Sequence, residues 1–256
     1  FPPEDAAVMG IDVSLDGELL AVALQNGGVR VWSLKTRQPV AKWAGHPKTV
    51  YRVAFDGEGR RLVTAGGDGT AKVWNPRTGG PLLTLTGHQD EVLSARFSPD
   101  GSAIATGSHD RTVRTWDAAT GKEKHRLDGH AGFVKRVAWS ADGKRVFTCG
   151  VDQTARVWDA ETGKPVRQLG GHASALDALD LDDSGADGSL LATTDLTGVV
   201  RLWDAASFKL LRVHRRFGGA IYAARFGPDR NYLATAGRDG VVIYAVREFP
   251  TFEEKK

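Results

Sequence analysis

The segment TGHQDEVLSARFSPDGSAIATGSHDRTVRTWDAATGK, residues 86–122, contains the pattern that decides the fold. Its short runs of β-branched, aromatic and alanine residues are separated by Asp-Gly and Thr-Gly pairs. Such pairs tolerate the positive φ angles of tight turns. Runs of this kind bounded by turn residues indicate strands joined by hairpins. The segment therefore predicts a small antiparallel sheet.

The same pattern recurs along the chain with a period of 42 residues, because Gly-His pairs begin at residues 45, 87, 129 and 171. Tryptophans follow the same register, and the repeat resumes through Tyr244 after extra residues in LDLDDSGADGSLL. Each repeat holds four strand-like runs, which predicts an all-β chain of six four-stranded antiparallel sheets. We expect one domain over residues 1–256, with repeats at about 1–44, 45–86, 87–128, 129–170, 171–215 and 216–256.

The Gly-His pair, the aliphatic positions and the LATGSHDRTVRTWD-like run together resemble the WD-repeat family of β-propellers. The resemblance covers nearly the whole chain. It implies a β-propeller in which each repeat supplies one four-stranded blade. Six visible repeats favour six blades. The first predicted strand lies close to Phe1, which indicates missing upstream sequence, and seven blades would follow if that sequence supplied another repeat.

The resemblance also implies a buried hydrogen-bonded chain of His, Thr, Asp and Trp within each repeat. A buried indole N–H needs an acceptor, and a satisfied polar network would fix the turns that close each sheet. The matching residues are His46, Thr64, Asp68 and Trp74; His88, Thr106, Asp110 and Trp116; and His130, Thr148, Asp152 and Trp158.

The other three repeats depart from this pattern. The fifth keeps His172, Thr193 and Trp203 but has Thr197 where Asp is expected, which predicts a disturbed network. The first repeat has Val22 and Asn26 at the Thr and Asp positions; the sixth has Phe217 for His and Tyr244 for Trp, and keeps Thr235 and Asp239.

Composition and charge restrict the classes of function. The net charge of +3 is too small for a protein that binds nucleic acid over its whole surface. No apolar run is long enough for a membrane helix, and the first ten residues lack the features of a signal peptide. The single cysteine, Cys149, cannot form an internal disulfide. We expect a cytoplasmic protein without membrane insertion.

The sequence Ser108-His109-Asp110 contains the residue types of a hydrolase triad. Consecutive residues on or beside a strand point to alternate sides, so these three side chains cannot converge on one reacting atom. We therefore predict that the chain is not an enzyme. An alternative is an enzyme acting on a small molecule in the central channel, with Asp177, Lys135 and His109 as its acid–base residues.

No cofactor motif occurs in the chain, and the histidines lack zinc-ligand spacing. Asp180, Asp182, Ser184 and Gly185 resemble the opening of a calcium loop, but Leu191 stands where the bidentate Glu belongs. A solvated hairpin turn is therefore favoured over a calcium site, and no cofactor is expected.

Two positions vary while the framework repeats. The resemblance implies that peptides dock on the face with the Gly-His loops and the turns between second and third strands. There, the residue after the first aliphatic of each first strand is Met9, Tyr51, Leu93, Lys135, Asp177 or Tyr222, and the residue before the turn Asp or its equivalent is Gln25, Gly67, His109, Val151, Leu196 or Arg238. Rigid aromatic rings and cations suit peptide binding. We predict an interaction scaffold for a peptide or protein, within a larger complex or a longer polypeptide.

The run FKLLRVHRRF, residues 208–217, concentrates positive charge without an acidic residue. The cations of this basic patch are Lys209, Arg212, Arg215 and Arg216. Nucleic-acid binding through the basic patch is an alternative, but no interleaved aromatic residues accompany the charges in the pattern of a base-stacking platform. Nucleic acid is therefore not the predicted partner.

Overall fold

The computed structural model describes residues 4–182, 189–215, 218–227 and 231–246. Within these ranges the chain forms β-strands, and no helix is long and apolar enough to cross a membrane. Four residues considered above lie outside the described residues: Ser184 and Gly185 of the calcium-like segment, Arg216 of the basic patch and Phe217 of the sixth repeat.

The strands group into two compact units, Phe1–Gly129 and His130–Lys256. The first unit contains three four-stranded antiparallel sheets, in which each strand pairs with the next along the chain. Their strands are β1 Val8–Val13, β2 Leu19–Leu24, β3 Gly28–Ser33 and β4 Pro39–Ala44; β5 Val50–Phe55, β6 Leu62–Gly66, β7 Ala71–Trp74 and β8 Pro81–Leu85; and β9 Val92–Phe97, β10 Ala103–Ser108, β11 Val113–Asp117 and β12 Glu123–Leu127.

The second unit contains the fourth, fifth and sixth sheets. Its strands are β13 Val134–Trp139, β14 Arg145–Gly150, β15 Ala155–Asp159 and β16 Pro165–Leu169; β17 Leu176–Asp182, β18 Leu190–Asp195, β19 Val199–Asp204 and β20 Leu210–Arg215; and β21 Ile221–Phe226, β22 Tyr232–Gly237 and β23 Gly240–Ala245. Within the described residues the sixth sheet has three strands. The predicted all-β fold class of antiparallel blades is confirmed, with four strands in each of the first five sheets and three described strands in the sixth.

The second strand of each sheet is the most buried. Every residue of Leu62–Gly66 and of Ala103–Ser108 is buried. The fourth strand Pro165–Leu169, in contrast, is exposed except at its last residue. Apolar side chains fill the space between neighbouring sheets, such as Val63 with Trp116 in the first unit and Phe147 with Trp203 in the second. A single repeat cannot bury both of its faces, so stacking of the repeats builds the core.

The turns between first and second strands use a repeated Ser-x-Asp-Gly pattern. In the third sheet the Ser98 hydroxyl donates to Asp100 Oδ1 at 2.6 Å, and Ser102 N donates to the same oxygen at 3.0 Å. The hydrogen bond from Ser98 is the main reason that the pKa of Asp100 falls to about 2. Gly101 follows with φ of 69°, a conformation that favours glycine. The sequence thus fixes these hairpins locally.

Candidate functional site

The residues of the second, third and fourth repeats that were matched to a buried network are hydrogen-bonded to one another. In the third repeat His88 Nδ1 lies 2.8 Å from Asp110 Oδ2, and His88 Nε2 lies 2.7 Å from Thr106 Oγ1. Trp116 Nε1 donates to the same Thr106 oxygen at 2.9 Å. The equivalent bonds join His46, Asp68, Thr64 and Trp74, and also His130, Asp152, Thr148 and Trp158.

The direction of each hydrogen bond in the third repeat follows from the charge of Asp110. Burial acts to raise the pKa of this carboxyl, but hydrogen bonds from His88 and Thr112 hold the pKa well below its usual range. The ionised carboxylate only accepts, so His88 Nδ1 carries a proton, and in the neutral ring Nε2 accepts the Thr106 hydroxyl proton. The Thr106 oxygen then accepts from Trp116, and all these buried polar atoms are satisfied.

The expectation of a disturbed fifth network is wrong. His172 Nδ1 lies 2.7 Å from Asp195 Oδ2, while Thr197 Oγ1 donates to Asp195 Oδ1 at 2.7 Å. Asp195 stands two residues after Thr193, at the repeat position that Gly66 occupies in the second sheet. The carboxylate therefore reaches the histidine from the end of the second strand, and the threonine at the usual Asp position bonds to it.

The first and sixth repeats differ from the others. Trp32 Nε1 donates to Glu4 Oε1 at 3.3 Å, because Val22 has no hydroxyl to accept from it. In the sixth sheet the Tyr244 ring packs edge-on against His214, with ring centroids 4.8 Å apart.

The three residues of the Ser-His-Asp sequence bond to different partners. Ser108 Oγ donates to Asp90 O at 3.1 Å, and Asp110 belongs to the network of His88. His109 Nδ1 instead lies 3.6 Å from Glu91 Oε2. The three side chains therefore form no catalytic triad.

A β-bulge occurs at the start of the first strand in each of the six described sheets. In the second sheet Val50 pairs with Gly66 and Arg52 pairs with Ala65, which leaves Tyr51 as the extra residue. We call this end of a sheet, with the adjoining turn between second and third strands, its bulge end. The extra residues in the six sheets are Met9, Tyr51, Leu93, Lys135, Asp177 and Tyr222, the variable first-strand positions identified in the sequence.

In the first unit, Glu91 connects the bulge ends of the second and third sheets. The Tyr51 hydroxyl donates to Glu91 Oε2 at 2.7 Å, and His109 Nδ1 lies 3.6 Å from the same oxygen. Burial and the nearby Glu91 raise the pKa of Tyr51 to about 12, so the phenol stays neutral. Leu93 is only 5% exposed, so its side chain is buried. Met9 is half-buried.

In the second unit, Arg136 connects three bulge ends. Its Nη1 donates to Lys135 O at 2.9 Å, and its Nη2 donates to Tyr222 O at 3.1 Å. The Asp177 carboxylate lies 3.4 Å from Lys135 Nζ and 3.8 Å from Arg136 Nη2. Arg238 is exposed, and its backbone N–H donates to Ala220 O at 3.0 Å, which places Arg238 at the bulge end of the sixth sheet.

Arg136 and Glu91 were not predicted, because neither stands at a position that was compared between repeats. One signal for Arg136 is present: Arg52 stands at the same position two repeats earlier and donates to Met9 O at 3.0 Å. An arginine beside the bulge therefore occurs in the second and fourth repeats.

The calcium-like segment begins within a strand. Asp180 Oδ1 accepts from Arg225 Nη1 at 2.9 Å, and Asp180 Oδ2 accepts from the backbone N–H of Phe226 at 2.8 Å. The carboxylate that would open a calcium loop therefore joins β17 to β21. Among the described residues, no group of three or more His, Cys, Asp or Glu side chains has the arrangement of a metal site.

The basic patch is divided by the structure. Lys209 and Arg215 are exposed, whereas Arg212 is half-buried and its Nη1 donates to Val246 O at 2.8 Å. Arg212 thus bonds the fifth sheet to the end of the described sixth sheet, and two described cations of the patch remain exposed on β20 and the turn before it.

Comparison with known proteins identifies the family. The family described as WD40, WD domain, G-beta repeat, matches this chain at residues 37–75, 79–117, 121–159, 163–204 and 208–244. Each match begins before the fourth strand of one sheet and ends at the third strand of the next. These matches cover more than half of the chain. The chain therefore belongs to the WD40 repeat family.

One curated relative is the WD repeat-containing protein 20 homolog of Caenorhabditis elegans. It is 32% identical to this chain over 66 residues, which are 25% of this chain and 9% of the relative. The similarity therefore covers a small part of the longer protein.

Proposed function

We propose that this chain is a non-enzymatic interaction scaffold that binds a peptide or protein at the bulge ends of its sheets, within a larger complex or a longer polypeptide. Membership of the WD40 family supports the general class, since propellers of this family are typically interaction scaffolds. The observation that carries the finer proposal is the coincidence of every described first-strand bulge with a position whose residue type changes from repeat to repeat.

A bulge suits this role because it adds a residue to one strand and redirects its side chain without breaking the rest of the ladder. The His–Asp–Thr–Trp networks hold the same sheets rigid through buried, satisfied hydrogen bonds. Variable side chains on a rigid framework can bind with little loss of conformational entropy. Tyr222 is the most exposed of the bulge residues, with 49% of its surface accessible.

The sixth sheet provides a matched control for the test. Tyr232 has the same side chain and is 51% exposed. It lies at the opposite end of the sheet, beside the pair Phe226 and Leu233, whereas the bulge lies beside the pair Ile221 and Gly237. A partner at the bulge end contacts Tyr222 and leaves Tyr232 free.

The experiment selects peptides from a phage-displayed library on the wild-type chain and measures their affinities by fluorescence polarisation. We expect Tyr222→Ala or Tyr51→Ala to weaken binding of the selected peptides by about ten-fold or more, as loss of an aromatic anchor does. Tyr232→Ala should bind like wild type. Selected peptides that bind all three variants equally well would refute docking at the bulge ends.

A further inference from the structure

The bulge ends of the fourth, fifth and sixth sheets, which we call together the bulge end of the second unit, carry exposed apolar side chains around their charged groups. Val151 N donates to Phe133 O at 2.9 Å, so the turn of the fourth sheet folds over the start of β13. Leu196 N donates to Ala175 O at 3.1 Å in the equivalent turn of the fifth sheet. The exposed apolar residues of this end are Phe133, Val151, Leu196 and Tyr222. Clustered exposed apolar groups mark an interaction surface.

Among the groups that solvent reaches at this end, cations outnumber carboxylates. Lys135 and Arg136 share the single carboxylate of Asp177, at 3.4 Å and 3.8 Å. Arg238 is exposed, and no carboxylate of the described residues forms an ion pair with it. Asp152 and Asp195 also lie at this end, but their carboxylates are buried against His130 and His172. Among the groups that solvent reaches, the three cations Lys135, Arg136 and Arg238 therefore face the two carboxylates of Asp177 and Asp239. The surface therefore has positive charge that a ligand can neutralise.

Arg136 fixes the geometry of this charge. It donates to a carbonyl of the fourth sheet and to one of the sixth, and it lies beside the Asp177 carboxylate of the fifth. These charged side chains are partly buried: the accessible fraction is 32% for Lys135 and 16% for both Asp177 and Arg136. Charges that a ligand covers on such a surface interact more strongly than charges in open solvent.

We propose that this bulge end binds a peptide segment in which a glutamate or aspartate is flanked by aromatic or branched aliphatic residues. The acidic side chain lies against Lys135 and Arg238, and its apolar neighbours pack on Phe133, Val151, Leu196 and Tyr222. This inference rests on the proposed scaffold function and adds the chemical class of the partner. Charge complementarity supplies its specificity, and apolar burial supplies much of its affinity.

The test uses four pools of fluorescein-labelled decapeptides with randomised ends and fixed centres: Leu-Glu-Phe, Leu-Gln-Phe, Leu-Lys-Phe and Ser-Glu-Ser. We expect the Leu-Glu-Phe pool to bind tightest, about ten-fold more tightly than the Leu-Lys-Phe pool, because charge-assisted hydrogen bonds gain that much over unpaired charges. Arg238→Glu should remove or invert this preference. Arg167→Glu, an exposed arginine on β16 of the fourth sheet, should leave it unchanged.

The outcomes separate this inference from the proposed function. Equal or tighter binding of the Leu-Lys-Phe pool, or an unchanged preference in Arg238→Glu, would overturn the acidic ligand. If the Leu-Gln-Phe pool binds as tightly as the Leu-Glu-Phe pool and Tyr222→Ala weakens both, docking stands and the acidic preference is wrong. If no pool binds, or Tyr222→Ala changes no affinity, both proposals fail at this end of the unit.

Discussion

Replacing Thr106 by valine tests the buried network directly. Thr106 Oγ1 accepts from Trp116 Nε1 at 2.9 Å and lies 2.7 Å from His88 Nε2. Valine has nearly the same shape and no hydroxyl, so the substitution leaves the indole donor and the imidazole acceptor buried without partners. A buried polar group left unsatisfied costs about 1–3 kcal/mol. We therefore expect Thr106→Val to lower the free energy of unfolding by about 2–6 kcal/mol.

The third sheet offers a matched control one strand away. Thr115 lies on β11 opposite Ala105, is buried, and has no hydrogen-bond partner for its hydroxyl. Thr115→Val removes an unsatisfied buried hydroxyl, so its effect should be neutral or stabilising by about 1 kcal/mol. Both substitutions replace a hydroxyl by a methyl group at nearly equal burial, and they differ in the hydrogen bonds that are lost.

The assay is urea unfolding followed by tryptophan fluorescence and by circular dichroism. The difference between the midpoints of the two variants, multiplied by a shared m-value, gives the stability contributed by the bonds of Thr106. A difference below about 0.5 kcal/mol between Thr106→Val and Thr115→Val would show that the His–Thr–Trp bonds do not stabilise the sheet.

Three further predictions concern the same networks. Gly66→Ala should lower the free energy of unfolding by about 2 kcal/mol or more, because an added Cβ would lie 2.1 Å from His46 Nδ1; Gly170→Ala, with open space around it, should unfold at the wild-type urea concentration. Asp195→Ala should cost about 2–4 kcal/mol and Thr197→Ala about 1 kcal/mol or less in the same assay, and the reverse order would disprove the assignment of Asp195. Burial is the main cause of the lowered pKa of His46 and His172. The histidine pKa of the unfolded chain is near 6.5, so below that pH the unfolded chain binds more protons than the folded chain. Urea midpoints should therefore fall as the pH drops below 6.5 and stay level above it. A midpoint that rises on acidification would contradict this.

The repeated networks could be predicted from sequence because their residues keep fixed spacings. The His-to-Thr and Thr-to-Trp separations are 18 and 10 residues in the second, third and fourth repeats. The fifth network escaped this reasoning because its carboxylate comes from Asp195, two residues before the expected position. Only the fold shows that the end of the second strand brings a carboxylate to the same histidine nitrogen.

The charged surroundings of the networks and of the bulge ends were harder to predict. Lys72 Nζ lies 3.6 Å from Asp68, and Arg156 Nε lies 3.9 Å from Asp152, so a third-strand cation follows each of these acids by four residues. That spacing was visible in the sequence but carries no meaning without knowledge of the turn between the strands. A bulge depends on strand register, which the alternation of apolar residues does not specify at a strand end.

Hydrogen–deuterium exchange of the chain, with and without a saturating selected peptide, tests docking at the bulge ends directly. Docking at the bulge ends of the second unit predicts slower exchange in residues 133–136, 150–152 and 219–223. The fourth strands Pro165–Leu169 and Leu210–Arg215 should exchange at the same rate in both samples. Protection confined to those fourth strands, with unchanged exchange at the bulges, would contradict the proposal that this chain binds its partner through the bulge ends.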